Sequence, residues 1–128
     1  MKPNFERQVY CKNIHFYKSL GSYNYLSILK ISDLIIGNSS SGIVEAPYFR
    51  IPCINIDNRQ KGRYLHKNII ESKSDYKSLK LSFKKLKNKK FIKNLKNYKY
   101  IFGKKGAARI ILKVLTKLKF NNDVLVKI

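Results

Sequence analysis

The segment whose residue types could do chemistry is Gly37-Asn38-Ser39-Ser40-Ser41-Gly42-Ile43-Val44-Glu45-Ala46-Pro47. It leaves an apolar run and enters a stretch with helical character. Small residues let the backbone approach a phosphate closely, the first helical N–H groups point at it, and the helix dipole favours its negative charge. The hydroxyls of Ser39, Ser40 and Ser41 add donors. The same composition also makes a tight turn with a capped helix, and the residues alone leave both readings open. Glu45 lies three residues after Gly42, so a helix starting there carries it in the first turn. There it can act as a capping-box partner of Ser41 or Gly42, or its carboxylate can accept two hydrogen bonds from a ribose diol. A second candidate segment is Asp57-Asn58-Arg59-Gln60-Lys61-Gly62-Arg63, which brings Arg59, Lys61 and Arg63 within reach of the same crevice. The planar fork of Arg59 suits a diphosphate, although a solvated side chain is the default for any single loop arginine. His15 and His66 share no ligand-like spacing with each other or with the cysteines, so no metal and no cofactor is expected.

The elements that must position these residues follow from periodicity. Ile14-His15-Phe16-Tyr17 reads as a buried strand, and Tyr23, Leu26, Ile28, Leu29 and Ile31 then recur at helical intervals. Leu34-Ile35-Ile36 is a second strand, stopped by Gly37. A short helix is expected from Ile43 to Phe49, with Pro47 in its first turn or at a bend because proline has no N–H to donate. Cys53-Ile54-Asn55-Ile56 is a third strand, and Asn68-Ile69-Ile70 a fourth at an edge. Ser74 or Asp75 can cap a helix carrying Tyr76, Leu79, Phe83 and Leu86 on one stripe, and Phe91, Ile92 and Leu95 continue or restart it. The last helix starts after Gly106, with Ala107, Ile111, Val114, Leu115 and Leu118 on one face. Continuous apolar strands alternating with helices imply an α/β fold whose parallel sheet is covered on both sides, a three-layer Rossmann-like arrangement. Three firm strands and one weaker one are fewer than such a sheet needs, which points to a partial domain.

Composition narrows the classes. The 128 residues suffice for one domain, and 44% hydrophobic content is enough to build a core. The formal charge of +21 is uneven: residues 1–66 hold 9 basic and 4 acidic side chains, residues 67–128 hold 19 and 3. Such a surface could track phosphates, but no recognition motif accompanies it, and lysine pairs such as Lys84-Lys85 and Lys89-Lys90 fall where solvated helix faces are expected. Nucleic acid is therefore not an expected partner. Two cysteines, Cys11 and Cys53, make no disulfide framework and fit a reducing compartment. No apolar run approaches a membrane span and the N-terminus lacks a signal-peptide core, so a cytoplasmic chain with no membrane partner is expected.

Several of these stretches carry a resemblance. Ser32 to Ile36 followed by GNSSSGIVEAP, then Ile51-Pro52-Cys53-Ile54-Asn55-Ile56 and Asn58-Arg59-Gln60-Lys61-Gly62-Arg63, resembles the C-terminal domain of the UDP-N-acetylglucosamine 2-epimerases. The GNSSSG and RQKGR forms look like the hydrolysing branch, which makes N-acetylmannosamine or a related sugar for sialic-acid-type pathways. Tyr100 to Ala108 resembles the family's Asn-Pro-Tyr-Gly-x-Gly-x-Ala segment, with Ile101-Phe102 where the family has Pro-Tyr. The match spans residues 14–118.

The resemblance implies a partial C-terminal domain, over residues 1–128, of a GT-B-type fold in which two Rossmann-like domains face each other across a cleft. It implies UDP or a UDP-N-acetylhexosamine as ligand. In the UDP-binding loop of Ser39, Ser40, Ser41 and Gly42, Ser39 and Ser40 would touch the diphosphate. Glu45 would hold the ribose hydroxyls, Arg59 the phosphate region, and Tyr25 would lie near the uracil. The family's reaction eliminates UDP to give a 2-acetamidoglucal, to which the hydrolysing branch adds water. Its acid and base groups fall outside the matched segment, so no catalytic residue is expected here and a separately encoded N-terminal epimerase domain is an implied partner. A stand-alone UDP-sugar binding module without turnover is the alternative, and a basic nucleic-acid-binding protein a further one. A half domain would leave apolar faces exposed, so self-association is expected.

Overall fold

The computed structural model describes residues 13–103 and 105–118. In chain order the elements are α1 (Gly21–Ile31), β1 (Ile35–Gly37), α2 (Ser41–Val44), β2 (Cys53–Ile56), β3 (Ile69–Ser72), α3 (Tyr76–Leu86), α4 (Lys89–Lys96) and α5 (Ala107–Leu115). The strands form a parallel sheet in the order β1-β2-β3. Ile35, Ile36 and Gly37 stand beside Cys53, Ile54 and Asn55, and Cys53 to Ile56 stand beside Ile69 to Ser72. This is an α/β, Rossmann-like partial domain. Its strands, shorter than average, all carry their carboxyl ends on one side.

The middle strand explains the sheet. Cys53, Ile54 and Asn55 are buried, as a strand hydrogen-bonded on both edges and covered by side chains requires. On one flank Leu29, Ala46 and Ile51 form a core against which Tyr25, Ile35 and Phe49 pack. Ile43, Ile54 and Ile70 are also buried. Asn68, fully buried just before β3, donates its amide to the Ile51 carbonyl at 2.8 Å and to the Gly42 carbonyl at 3.5 Å.

The helix starts are set locally. Asp75 caps α3, accepting the Ser78 N–H at 2.8 Å and the Ser78 hydroxyl at 2.7 Å, and these bonds hold its carboxyl below the usual carboxylate range. Ser74, the other candidate, instead gives its N–H to the Asp57 carboxylate at 3.2 Å. Asn88 restarts the chain as α4 by accepting the Lys90 N–H at 2.8 Å.

Two expectations are corrected. Ile14 to Tyr17 form no strand, and Ile14, Phe16 and Tyr17 are 57%, 62% and 61% exposed. A short apolar run becomes a strand only where a neighbour offers backbone partners, and among the described residues β1 pairs with β2 alone. The helix expected from Ile43 to Phe49 begins two residues earlier and is over by Val44. Pro47 lacks the N–H that would bond the Ile43 carbonyl, and the Ala46 N–H reaches back five residues to Ser41 at 2.9 Å, so the chain continues as turns. The last helix forms at its expected place, and its apolar stripe lies open to solvent, with Ile111, Val114, Leu115 and Leu118 44–57% exposed.

That stripe has a measurable consequence. Sedimentation velocity is expected to show concentration-dependent self-association, reduced when Ile111 and Leu115 are both replaced by lysine. A wild-type chain that stays monomeric at every concentration would contradict this.

Candidate functional site

The loop after β1 is built around a backbone that needs glycine. Gly37 sits at φ 149°, a region closed to side-chain-bearing residues, and turns the chain out of the sheet. The three serines that follow then divide. Ser39 and Ser40 are exposed, whereas Ser41 is buried at the start of α2 and its hydroxyl is hydrogen-bonded to the Tyr25 hydroxyl. The Ser39 hydroxyl accepts the Ser41 N–H at 3.3 Å, and the Ser40 carbonyl accepts from Ile43 and Val44 at 2.9 Å each. Tyr25, sixteen residues upstream on α1, is thus drawn into the loop.

Gly42 has a packing role that its type alone did not disclose. A Cβ at this position would lie 2.4 Å from the Cys53 sulfur, so the absence of a side chain lets α2 sit directly on β2. Burial pushes the Cys53 thiol up to about 11, which keeps it neutral and inert.

The second loop leaves the carboxyl end of β2. Asp57 takes a left-handed conformation at φ 58°, and the Lys61 N–H bonds the Asn58 carbonyl at 3.0 Å to close a turn. Arg59, Lys61 and Arg63 are exposed on it. Gln60 is not: it is 5% exposed, and its amide donates to the Asn38 carbonyl at 2.6 Å. The Arg59 loop is therefore fastened to the serine loop through its neighbour. Sequence reasoning missed Gln60 because a glutamine among charged loop residues carries no signature.

Glu45 stands at the C-terminal end of α2, not in its first turn, and gives its N–H to the Ser41 carbonyl at 3.0 Å. The capping box does not form, because four helical residues leave Glu45 past the end. One carboxylate oxygen, Oε2, is buried without a hydrogen-bond partner. Nearby, the Tyr100 hydroxyl donates to the Val44 carbonyl at 3.0 Å and the Tyr98 hydroxyl to the Pro47 carbonyl at 2.5 Å. Burial pushes Tyr98 up to about 12 and raises Tyr100, with the Glu45 charge adding to the latter.

His66, also missed as a structural residue, is buried beneath these tyrosines. It stacks on Tyr100 at 5.6 Å between ring centroids and meets Tyr64 and Phe102 edge-on at 5.2 and 5.1 Å. Burial lowers its pKa, so it sits there as a neutral ring. Phe102, which stands where the resembling segment has Tyr, belongs to this ring cluster.

Clefts open among the described residues beside these loops and α1. One of about 210 Å³ lies between Gly37, Asn38, Ser39, Gly42, Ile35, Ile36 and Cys53, and one of about 440 Å³ runs past Ser22 and Tyr25. A third, about 430 Å³, lies at the carboxyl ends of β2 and β3 beside Asp57, Asn58 and Ser72. Among the described residues no group of three or more His, Cys, Asp or Glu could hold a metal ion, and no helix is long and apolar enough to cross a membrane. The lysines of α3 and α4, Lys84, Lys85, Lys89 and Lys90 among them, are exposed, as solvated faces are.

A parallel sheet with a serine-glycine loop and an arginine loop at adjacent carboxyl strand ends defines a Rossmann-like α/β partial domain, and in open α/β sheets ligands bind outside the carboxyl ends of the strands. Residues 3–116 match the family of the UDP-N-acetylglucosamine 2-epimerases, and the chain belongs to that family. It is 50% identical over 91 residues to the GDP/UDP-N,N'-diacetylbacillosamine 2-epimerase (hydrolyzing) of Campylobacter jejuni, covering 68% of this chain and 23% of that protein. It is 42% identical over 64 residues to a polysialic acid biosynthesis protein of Escherichia coli, covering 48% of this chain and 16% of that one. A UDP-N,N'-diacetylbacillosamine 2-epimerase (hydrolyzing) of Legionella pneumophila is 27% identical over 115 residues, covering 90% of this chain and 29% of its own. The chain thus spans less than a third of the length of these relatives.

Proposed function

We propose that this chain is the UDP-binding part of a hydrolysing 2-epimerase of the GT-B type, acting on a UDP-linked acetamido sugar of the N-acetylglucosamine or diacetylbacillosamine class in sialic-acid-type sugar synthesis. The observation that carries the reading is the gathering, at the adjacent carboxyl ends of β1 and β2, of Tyr25, Ser39 to Gly42 and the latched Arg59 loop. In this reading Ser39 and Ser40, the exposed serines, meet the diphosphate. Arg59 supplies the positive charge, and Ser41 and Gly42 hold the loop's shape. Tyr25 borders the uracil pocket, and the unpartnered oxygen of Glu45 awaits ribose hydroxyls.

The chemistry assigned to these residues is leaving-group stabilisation. As the bond from the sugar to UDP breaks, negative charge grows on the diphosphate, and preplaced donors that bind this charge more tightly than the ground state lower the barrier. The carboxylates and histidine that move protons in the family are assigned to an N-terminal domain, encoded with this segment or separately, that would face it across a cleft. A cytoplasmic location fits such a nucleotide-sugar enzyme.

Isothermal calorimetry with UDP tests the reading. The wild-type chain is expected to bind, and Glu45→Ala to weaken binding at least tenfold, since a carboxylate holding two hydroxyls contributes about 1.5–3 kcal/mol. No heat with millimolar UDP would sink the proposal.

A further inference from the structure

Gln60 departs from its surroundings. Asp57, Asn58, Arg59, Lys61, Gly62 and Arg63 on either side are exposed, yet Gln60 is 95% enclosed, since only 5% of its surface is accessible. The hydrogen bond fixes which way its amide faces, because the Asn38 carbonyl requires a donor and only Nε2 supplies one. The carbonyl oxygen Oε1 is then left buried and without a partner. A leucine of similar size would avoid stranding that acceptor, so burial of a glutamine here is poorly accounted for by stability alone.

Its partner atom belongs to the residue immediately before Ser39, and Gln60 itself immediately follows Arg59. One hydrogen bond therefore ties together the two loops that carry the proposed diphosphate contacts. The serine loop departs from β1 and the arginine loop from β2, and beyond the sheet they share no backbone ladder.

We propose that Gln60 is a positioning residue, a latch that holds the Arg59 loop against the serine loop so that both face the same diphosphate. The inference rests on the UDP-binding reading for its functional consequence, but not for the latch itself. Without the latch the arginine loop is joined to the site only through its own ends, and Arg59 meets the diphosphate at an entropic cost. The nucleoside end of the ligand, assigned to Tyr25 and Glu45, makes no use of this bond.

Two measurements on the full chain separate the two claims. In Gln60→Leu, amide hydrogen exchange at Gly42, Ile43 and Val44 is expected to quicken at least fivefold while the melting temperature holds or rises. Unchanged exchange would overturn the latch, whatever the ligand results show. In the same variant UDP affinity is expected to fall about tenfold and uridine affinity to stay within twofold. Equal losses for UDP and uridine, or no loss for either, would overturn the positioning role. A wild-type chain that binds neither ligand would overturn the UDP reading and with it the positioning role, while the exchange result would still decide the latch.

Discussion

Gly42→Ala is expected to lower the melting temperature by roughly 10 °C, equivalent to about 2–3 kcal/mol, through overpacking alone. Two effects compete. Alanine in a helical backbone is intrinsically better than glycine by up to about 1 kcal/mol. Against this, the new Cβ would sit 2.4 Å from the Cys53 sulfur, well inside contact distance. Cys53 is 2% exposed in the central strand and cannot swing away into solvent. Either α2 lifts or β2 shifts, and each movement disturbs the loop from Asn38 to Ser41. The pairing makes the prediction specific: Cys53→Ala should be mildly destabilising by itself yet restore most of the loss when combined with Gly42→Ala. A double variant as unstable as Gly42→Ala alone would show that the sulfur is not the obstacle. Thermal unfolding followed by circular dichroism reads all four chains.

Asn68→Asp is expected to cost about 3 kcal/mol at neutral pH, measured by urea unfolding. The change is nearly isosteric, so packing is spared. It replaces the amide group that donates to the Ile51 carbonyl at 2.8 Å by an oxygen that repels this carbonyl when ionised and can donate only when protonated, and at neutral pH it asks for a charge where no solvent reaches. Such a carboxyl keeps its proton more tightly in the folded chain than in the unfolded one, where its pKa is about 3.9. The sign follows. The variant is least impaired below that unfolded value and loses stability as pH rises toward its raised folded value. A variant with wild-type stability at pH 7, or one most impaired in acid, would refute this account of Asn68. Because small domains hold only about 5–15 kcal/mol of stability, a cost of this size moves the urea midpoint visibly.

Both residues support the serine loop, Gly42 by fitting against β2 and Asn68 by bonding the Gly42 and Ile51 carbonyls. The proposed ligand site therefore stands on a packed base, while its exposed members, Ser39, Ser40 and Arg59, stand above it.

Features set by neighbours in the chain were legible from residue order. The strand Cys53–Ile56 has its expected bounds, since Pro52 and the polar run from Asp57 punctuate it on either side. Asp75 caps α3 because its carboxylate needs only the N–H of Ser78, three residues on. The pairing of Gly37 with a strand end and of Ser39 to Gly42 with a helix start is likewise local. Features that depend on residues distant in sequence were not legible. Ser41 turns inward to Tyr25, Gly42 is kept small by Cys53, Gln60 reaches Asn38, and His66 gathers Tyr98, Tyr100 and Phe102. The apolar run Ile14 to Tyr17 and the stripe on α5 show the limit from the other side. Their hydrophobicity is written in the chain, but burial needs an opposing surface, and Ile14, Tyr17, Ile111 and Val114 are each more than half exposed. Periodicity thus sufficed for the longer helices, whose bonds close within a few residues, whereas the sheet decided which apolar runs pair as strands, and Ile14 to Tyr17 do not join it. The three-dimensional packing alone decided which serines face outward and which glutamine holds the arginine loop, because those contacts join segments whose meeting no local pattern encodes.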